Sequence, residues 1–526
     1  MRTRAIGKAG IRNAVLGTVA LVLLASAGAA RAEDSKALAK EYFGPAMKLA
    51  QRDPNLPGYC WQAAWSIHHF VKGYLAFQDT EWLDYGVKYF DAVTANLKTG
   101  DGGYRGWLVP YSYDANFWCD MHVTDSILVN GLLGFAEVVL KDKALQDKYG
   151  AKAKEYVALA EKDFFQKWDA RKTWHEDGPY GTYVFWDRYC KANDFGNWMT
   201  LPAVRDSGFS LPYNQQNDVA VACLRLFRIT GEKKYRDRAA KLFAYQKSRF
   251  QFFDGHYCWN YWEPFGPWDF DLAKGETRHW VGTHAYRNYQ AGEVGQIVEA
   301  YHTGVVFDQA DIQRILNTNL KVMWNGSVKD PNYSNSNVTI PGYRRPSFNP
   351  SYPTWGGCLW NELADFDATV RDLYAVELRK TVNSRTRIDL AYLQNVTCKE
   401  PPSFKRKHAA APTDVAVFDF PVSECKGLVA AAVMPSAVKR GDKAIVFCKS
   451  LASGDLEIAL YTADGKTKKV VLYTGPLKGN NDGMSGLMIR QWDGTDPDGK
   501  QQFEGPYRVR WTFPGGYREF PITVSK

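Results

Sequence analysis

Residues 217–246 read NDVAVACLRLFRITGEKKYRDRAAKLFAYQ. Val219, Cys223, Leu226 and Phe227 recur at helical spacing up to the break Thr230-Gly231, and Tyr235, Ala239, Leu242 and Phe243 resume that spacing beyond it. The stretch therefore reads as a helical hairpin. Residues 60–97, CWQAAWSIHHFVKGYLAFQDTEWLDYGVKYFDAVTANL, carry the same design. Trp61, Ala64, Trp65, His68, Val71 and Tyr74 precede the turn Gln78-Asp79-Thr80, and Leu83, Val87, Phe90 and Leu97 follow it. Trp82, Asp84, Lys88 and Phe90 fall on Tyr235, Asp237, Lys241 and Phe243 at a constant offset of 153 residues, an ordered internal repeat.

Further candidate pairs lie at 122–140 with 146–168, 286–303 with 309–323, and 359–380 with 385–396, after an opening helix near 36–52. That makes about ten or eleven helices, joined alternately by short turns and long aromatic loops. The expected fold is mainly α: an (α/α)6-type toroid over residues 33–398, its hairpins packed around an axis and its long loops gathered at one face.

Residues 399–414 contain Pro401-Pro402, Lys405-Arg406-Lys407 and Ala409-Ala410-Ala411-Pro412 without periodicity, and read as a linker. Beyond it the period changes to two. Ala444–Phe447, Leu456–Tyr461, Val470–Tyr473, Tyr507–Trp511 and Phe520–Val524 are strands separated by Gly, Asp and Asn turns, which predicts a small antiparallel sandwich over 415–526. At the other end, a basic start, the apolar run Ala14–Leu24 and Ala30-Arg31-Ala32 before Glu33 read as a secretory signal peptide over 1–32. The apolar run is short for a membrane span and no second one follows, so the mature chain is expected to be free in a periplasm or outside the cell.

The composition, 45% hydrophobic and 23% charged over 526 residues, excludes a disordered or fibrous chain. The formal net charge of +9 falls to +4 once the signal residues are set aside, too small a balance to argue for nucleic acid or an anionic membrane. Nine cysteines, an odd number at low density, do not form a disulfide scaffold, although Cys425 and Cys448 could bridge. The spacing Cys119-x-x-His122 is metal-like but short, and a buried structural thiol is the expected role. No Gly-x-Gly-x-x-Gly after a strand and no phosphate loop is present, so no cofactor is firmly implied. A divalent metal stays open through His122, His256 or His284.

Two resemblances follow from these stretches. Paired helices with Asn217-Asp218 ahead of Leu226–Tyr235 resemble the toroids of polysaccharide lyases, uronyl hydrolases and C5-epimerase-like proteins over roughly 35–398. That resemblance implies a carbohydrate substrate by association of fold alone. Trp492-Asp493-Gly494-Thr495-Asp496-Pro497-Asp498-Gly499-Lys500, followed by Gly505-Pro506-Tyr507, resembles bacterial immunoglobulin-like modules appended to secreted enzymes. Its acidic cluster could take calcium but lacks the spacing and closing Glu of an EF-hand loop, so a plain hairpin is expected there.

Candidate chemistry clusters in the long loops. In 254–293, His284, Arg287 and Asn288 fall on one face of a helix start, with Tyr286 pointing away, and Trp259, Tyr261, Glu263 and Tyr289 lie nearby. In 99–125, Trp107, Tyr113, Trp118, Asp120, His122 and Asp125 combine flat rings for pyranose faces with charged groups for hydroxyls. Trp186, Asn214, Asn217 and Asp218 form a third cluster, and Arg344 and Trp355 belong to a fourth. About half of these rings are expected to serve as loop core.

Three functions fit. A lyase cleaving uronic-acid glycans by β-elimination would use Asn288 or Arg287 to neutralise the carboxylate, His284 as base and Tyr286 or Tyr289 as acid. A glycoside hydrolase would need two carboxyl groups across the scissile bond, from among Asp120, Asp125, Asp218 and Glu263. A non-catalytic glycan-binding surface protein would need neither. The expected partner in each case is a polysaccharide or oligosaccharide.

Overall fold

The computed structural model describes residues 36–526 apart from 57, 112–113, 193, 202–206, 283–286, 334–357, 410–427, 451–452 and 480–486. The segment read as a signal peptide, and Cys425, lie outside the described residues. Among the described residues eleven α-helices of eight residues or more build the first unit: α1 Phe43–Ala50, α2 Tyr59–Phe77, α3 Glu81–Thr94, α4 His122–Lys141, α5 Lys143–Leu159, α6 Tyr213–Thr230, α7 Lys233–Ser248, α8 Arg287–Thr303, α9 Gln309–Asn317, α10 Ala368–Lys380 and α11 Ser384–Asn395, with one further turn at Lys167–Ala170. A 3-10 helix at Asn361–Asp365 precedes α10. The single helix expected over 359–380 is therefore divided, because Asp367 caps a fresh start by accepting the Val370 amide at 3.1 Å.

The repeat seen in the sequence extends to the backbone. Gln78 and Gly231 stand at the same 153-residue offset, and both close an inner helix in the left-handed conformation (φ 52° and 76°), their amides bonding Tyr74 O and Phe227 O. Each hairpin then turns straight into its outer helix, with Asp79 Oδ1 accepting the Glu81 amide at 3.0 Å in the first copy.

Contacts run from α2 to α4, α6, α8, the 3-10 helix, α10 and α11, and from α11 back to α2, so the ring is closed. Among the described residues α2, α4, α6, α8, the 3-10 helix and α11 take inner positions, and α1, α3, α5, α7, α9 and α10 outer ones. Neighbouring inner helices run parallel. Asn130 and Glu137 of α4 meet Asp218 and Arg228 of α6, which meet Gln296 and Thr303 of α8. Lys72 and Ala76 of α2 meet Asp389 and Asn395 of α11. Inner helices approach closely where a side chain is missing; a Cβ on Gly131 would lie 2.4 Å from Ile67. Helix α4 is long and apolar enough to cross a membrane, but it is a core helix with most of its length buried.

The long loops are less irregular than their sequence suggests. Val109–Tyr111, Asp114–Cys119, Arg188–Lys191 and Trp198–Thr200 form a four-stranded sheet across two of them, pairing Trp118 with Cys190. The described parts of these loops sit at the amino-terminal ends of the inner helices. At the opposite end residues 400–409, expected as a loose linker, lie against the ring: His408 N donates to His302 O at 3.2 Å, and Lys407 pairs with Asp365 at 2.6 Å.

Among the described residues eight strands form the second unit: β1 Leu428–Met434, β2 Ala437–Lys439, β3 Ala444–Ser450, β4 Gly454–Thr462, β5 Lys468–Leu477, β6 Leu487–Trp492, β7 Gly505–Phe513 and β8 Gly516–Ser525. They make a two-sheet sandwich, in the orders β1-β3-β6 and β2-β8-β7-β4-β5. Successive side chains of a strand point to opposite faces. In the three-stranded sheet Ala431, Val433, Val446 and Cys448 face the sandwich core, whereas Ala430, Ala432, Met434, Ile445 and Phe447 pack into the core of the ring unit. That sheet is buried on both faces and is shared by the two units.

Candidate active site

The inner face of α2 shows how the ring interior is built. Cys60, Ala63, Ile67 and Phe70 are fully buried against neighbouring helices, while Trp65, His68 and Lys72 lie on another face, about 100° per residue apart along the helix. His68 has Arg225 of α6 and Glu299 of α8 as charged neighbours, so this face looks across the axis. Trp65 is 60% exposed although it belongs to a core helix. Water thus reaches this face of α2.

Polar groups of every inner element meet there. Asp218 accepts the Gln296 side-chain amide at 2.6 Å, and the Asn130 amide of α4 donates to the Asp218 main-chain oxygen at 2.9 Å. Glu362 of the 3-10 helix is exposed to water yet ringed by protein, and its carboxyl carbon comes within 3.3 Å of where a Cβ on Gly295 would stand. Asp218 and Glu362 therefore approach α8 from its two sides, at Gln296 and at Gly295. Deeper in, Lys72 pairs with Asp389 at 2.9 Å, and Arg228 of α6 joins Glu137 at 2.7 Å and Glu299 at 2.5 Å.

These surroundings separate the carboxyl groups into two kinds. Burial pushes Asp218 up to about 7, against the opposing influence of Gln296 and Arg225. Glu362 is also raised, by burial first, with Lys72 opposing. Glu299 and Asp389 are held below the usual carboxylate range, because Arg228 and Arg225 in the one case, and Lys72 in the other, outweigh burial. Burial and Arg225 push His68 down to about 3, so its imidazole is neutral. A carboxyl protonated near neutrality on a water-accessible face has the character of a general acid.

Of the four carboxyl groups singled out in the sequence for hydrolysis, only Asp218 faces this interior. Asp120 and Asp125 form a closed pair at the start of α4. Lys167 lies 2.9 Å from Asp120 and 2.6 Å from Asp125, and Arg171 binds Asp120 at 2.7 Å, with all four side chains nearly or wholly shut from solvent. Burial raises Asp125 to about 7, while Lys167 and Arg171 overcome burial to hold Asp120 low. The arrangement ties the loop before α4 to the segment after α5. Glu263 is buried between the two units, accepts the Asn260 amide at 2.6 Å, and has Arg518 and Arg249 as charged neighbours.

Most of the expected sugar-stacking rings are loop core instead. Trp107 is buried and donates to Val93 O at 2.9 Å. Trp118 packs against Phe195, with Lys98 5.0 Å from its ring. Trp186 stacks under Arg171 at 3.8 Å, and Trp259 donates to Glu293 at 2.5 Å. Tyr261 stacks on Trp280 at 5.5 Å, His122 stacks on Trp168 at 3.7 Å, and Asn217 is buried against Gln246. Loops that pair as strands over the ring end must bury their own apolar surface, and their aromatic side chains supply it. Asn214 is half-buried and its carbonyl accepts from Gln296 at 3.2 Å. Tyr289 is half-buried, 5.6 Å from the ring of Tyr261. His284, Tyr286, Tyr113, Arg344 and Trp355 lie outside the described residues, and of Arg287 and Asn288 only the helical backbone at the start of α8 is described. Cys119 is buried near Val109 O and His122 bonds Thr173 at 3.1 Å, so the metal-like spacing serves packing. Among the described residues no group of three or more His, Cys, Asp or Glu could hold a metal ion.

Sequence reasoning missed Trp65, His68, Lys72, Arg225, Gln296, Glu299, Glu362 and Asp389. A signal was present: α2 carries two stripes, one of small and apolar residues and one of Trp61, Trp65, His68 and Lys72, as an inner helix with one wet face requires.

No known protein family matches the sequence, and no curated protein matches it. Among solved structures the chain is similar to the GH76A α-1,6-mannanase from Salegentibacter sp. HEL1_6, at 12% identity over 69% of this chain and 99% of that one, with a TM-score of 0.35. It is also similar to a family 76 glycoside hydrolase from a bovine Bacteroides thetaiotaomicron strain, at 12% identity over 64% and 69%, TM-score 0.37. A third is the GH76 α-mannanase BT2949 of Bacteroides thetaiotaomicron, at 10% identity over 71% and 90%, TM-score 0.33.

Proposed function

We propose that the protein is a glycoside hydrolase acting on a polysaccharide or oligosaccharide end that enters the ring. The observation that carries the reading is Asp218: a carboxyl raised to about 7, on the inner face, with the water-accessible Glu362 on the other side of the same helix. Asp218 is the general acid that protonates the departing glycosidic oxygen, and Glu362, the water-accessible carboxyl that meets the same helix at Gly295, is the candidate for the second carboxyl group such a reaction needs. The exposed face of Trp65 is the stacking surface for a pyranose ring.

Elimination fits less well. The two described cations nearest the interior carboxyls are already engaged, Lys72 with Asp389 at 2.9 Å and Arg225 with Glu299 3.7 Å away. We further read 1–32 as an export signal. The sandwich is immunoglobulin-like in this reading, supported by its sheet orders and by the parallel pairing of β2 with β8.

Incubating the protein with a panel of neutral and uronate-containing glycans, and following reducing ends together with absorbance near 232 nm, tests the reading. New reducing ends without absorbance, lost in Asp218→Asn, are expected. Absorbance rising with product, or undiminished hydrolysis in Asp218→Asn, would overturn it.

A further inference from the structure

The sandwich does not meet the ring at a neutral site. Three of its polar contacts fall on the long-loop end, where the inner helices begin. Ser436, between β1 and β2, donates through its amide at 2.8 Å and its hydroxyl at 2.6 Å to the Asp177 carboxylate in a loop hairpin. Lys449 of β3 alternates with Ile445 and Phe447 on the ring-facing side, and its ammonium, 1% exposed, donates to Val281 O at 2.7 Å. Arg518 of β8 donates to Ser248 O at the end of α7 and is, with Arg249, a charged neighbour of Glu263.

The Lys449 anchor leads toward the acid site. Val281 and Gly282 immediately precede the segment that enters α8, the helix of Gly295 and Gln296. Gly282 bridges Trp262 and accepts the Tyr261 amide at 2.8 Å. Tyr261 O in turn accepts the Tyr213 amide at 3.2 Å, at the first residue of α6, the helix of Asp218. Segment 258–263 thus links Gly282, shortly before α8, to the first residue of α6, and the sandwich meets this linkage at Val281 through Lys449 and lies near Glu263 through Arg518. Burying the Lys449 ammonium is costly unless it holds a specific partner, and the half-buried Arg518 guanidinium adds a second charge at the seam. Nonspecific adhesion between the units would not need them.

We infer that the sandwich is part of the active unit, and that Lys449 and Arg518 are positioning residues that fix the starts of α8 and α6 and hence the approach of Gln296 to Asp218. The inference rests on the hydrolase reading for its catalytic meaning and on geometry alone for the coupling. The substrate-facing groups belong wholly to the ring; the sandwich acts through Val281 and Glu263.

The test compares amide hydrogen exchange, peptide by peptide, in the full-length wild type, Lys449→Met, Arg518→Lys and the surface control Lys500→Ala. Well below the melting temperature, Lys449→Met is expected to speed exchange in 281–300, and Arg518→Lys in 207–218, by about tenfold or more, with 143–159 in α5 unchanged. Exchange rising uniformly, or unchanged in 281–300, would overturn the inference. If Lys449→Met does not accumulate folded, Lys449→Arg, which keeps the charge but moves the donor, gives the same comparison. Kinetically, Lys449→Met is expected to lower kcat by about 10–100-fold with little change in KM, and to move the alkaline limb of the pH profile. A wild type without hydrolase activity would sink the functional reading and leave the exchange result standing.

Discussion

Gln296 bridges two inner helices of the ring, its Nε2 donating to the Asp218 carboxyl at 2.6 Å and to Asn214 O at 3.2 Å. A neutral amide offers Asp218 no countercharge, so burial prevails and the carboxyl keeps its proton to about pH 7.

The sign of the resulting pH dependence follows. Between about pH 4 and pH 7 the folded chain holds a proton that the unfolded chain has released, so this group's contribution to stability falls as pH rises through that window. Asp218→Asn is expected to flatten the decline by about 2–4 kcal/mol between those limits, read by urea denaturation at several pH values. The same variant is expected to lower hydrolysis by about 10²–10⁴-fold. An unchanged pH slope would mean that the carboxyl is not protonated in the folded chain.

Trp65 makes the complementary case. At 60% exposure on an inner helix it has little packing to lose. Trp65→Ala is expected to leave the melting temperature within about 2 °C while weakening oligosaccharide binding by about 1–3 kcal/mol, measured by calorimetry. A large loss of stability would mark it as core.

The closed quartet at the start of α4 should behave differently. Lys167→Met leaves Asp120 and Asp125 facing each other without their shared ammonium, and is expected to cost about 3–5 kcal/mol. Asp125→Asn, replacing a carboxyl already protonated to about pH 7, is expected to cost about 1 kcal/mol or less in acid and to stabilise at pH 8. Equal losses in the two variants would contradict the split between Asp120 and Asp125.

Close approach of inner helices gives a further check. Gly131→Ala sets a methyl group 2.4 Å from Ile67 and is expected to cost about 1–3 kcal/mol, largely recovered in the double variant with Ile67→Val or Ile67→Ala. Additive losses would show that the two residues do not share one space.

The hairpins were legible because each helix reports its own period: the 153-residue offset from Trp82 to Tyr235 extends to the left-handed caps at Gln78 and Gly231. The sandwich strands were legible for the same reason. The loop sheet was not, since Trp118 pairs with Cys190 across 72 residues and neither strand exceeds six residues. The site was only half legible. Asp218 stood out beside Asn217, but Glu362 is brought opposite Gly295 solely by ring closure, and Trp65 at apolar spacing reads as core until a neighbour is missing from its face.

The parallel inner helices carry one more consequence. Their peptide dipoles add, so the interior has a field before any side chain is counted, positive at the loop end and negative at the far end. Arg228, with Lys407 and His302 near it at the far end, answers the negative pole. At the loop end the first turns of the inner helices present the opposite, positive pole, on the side of the ring where Asp218 sits.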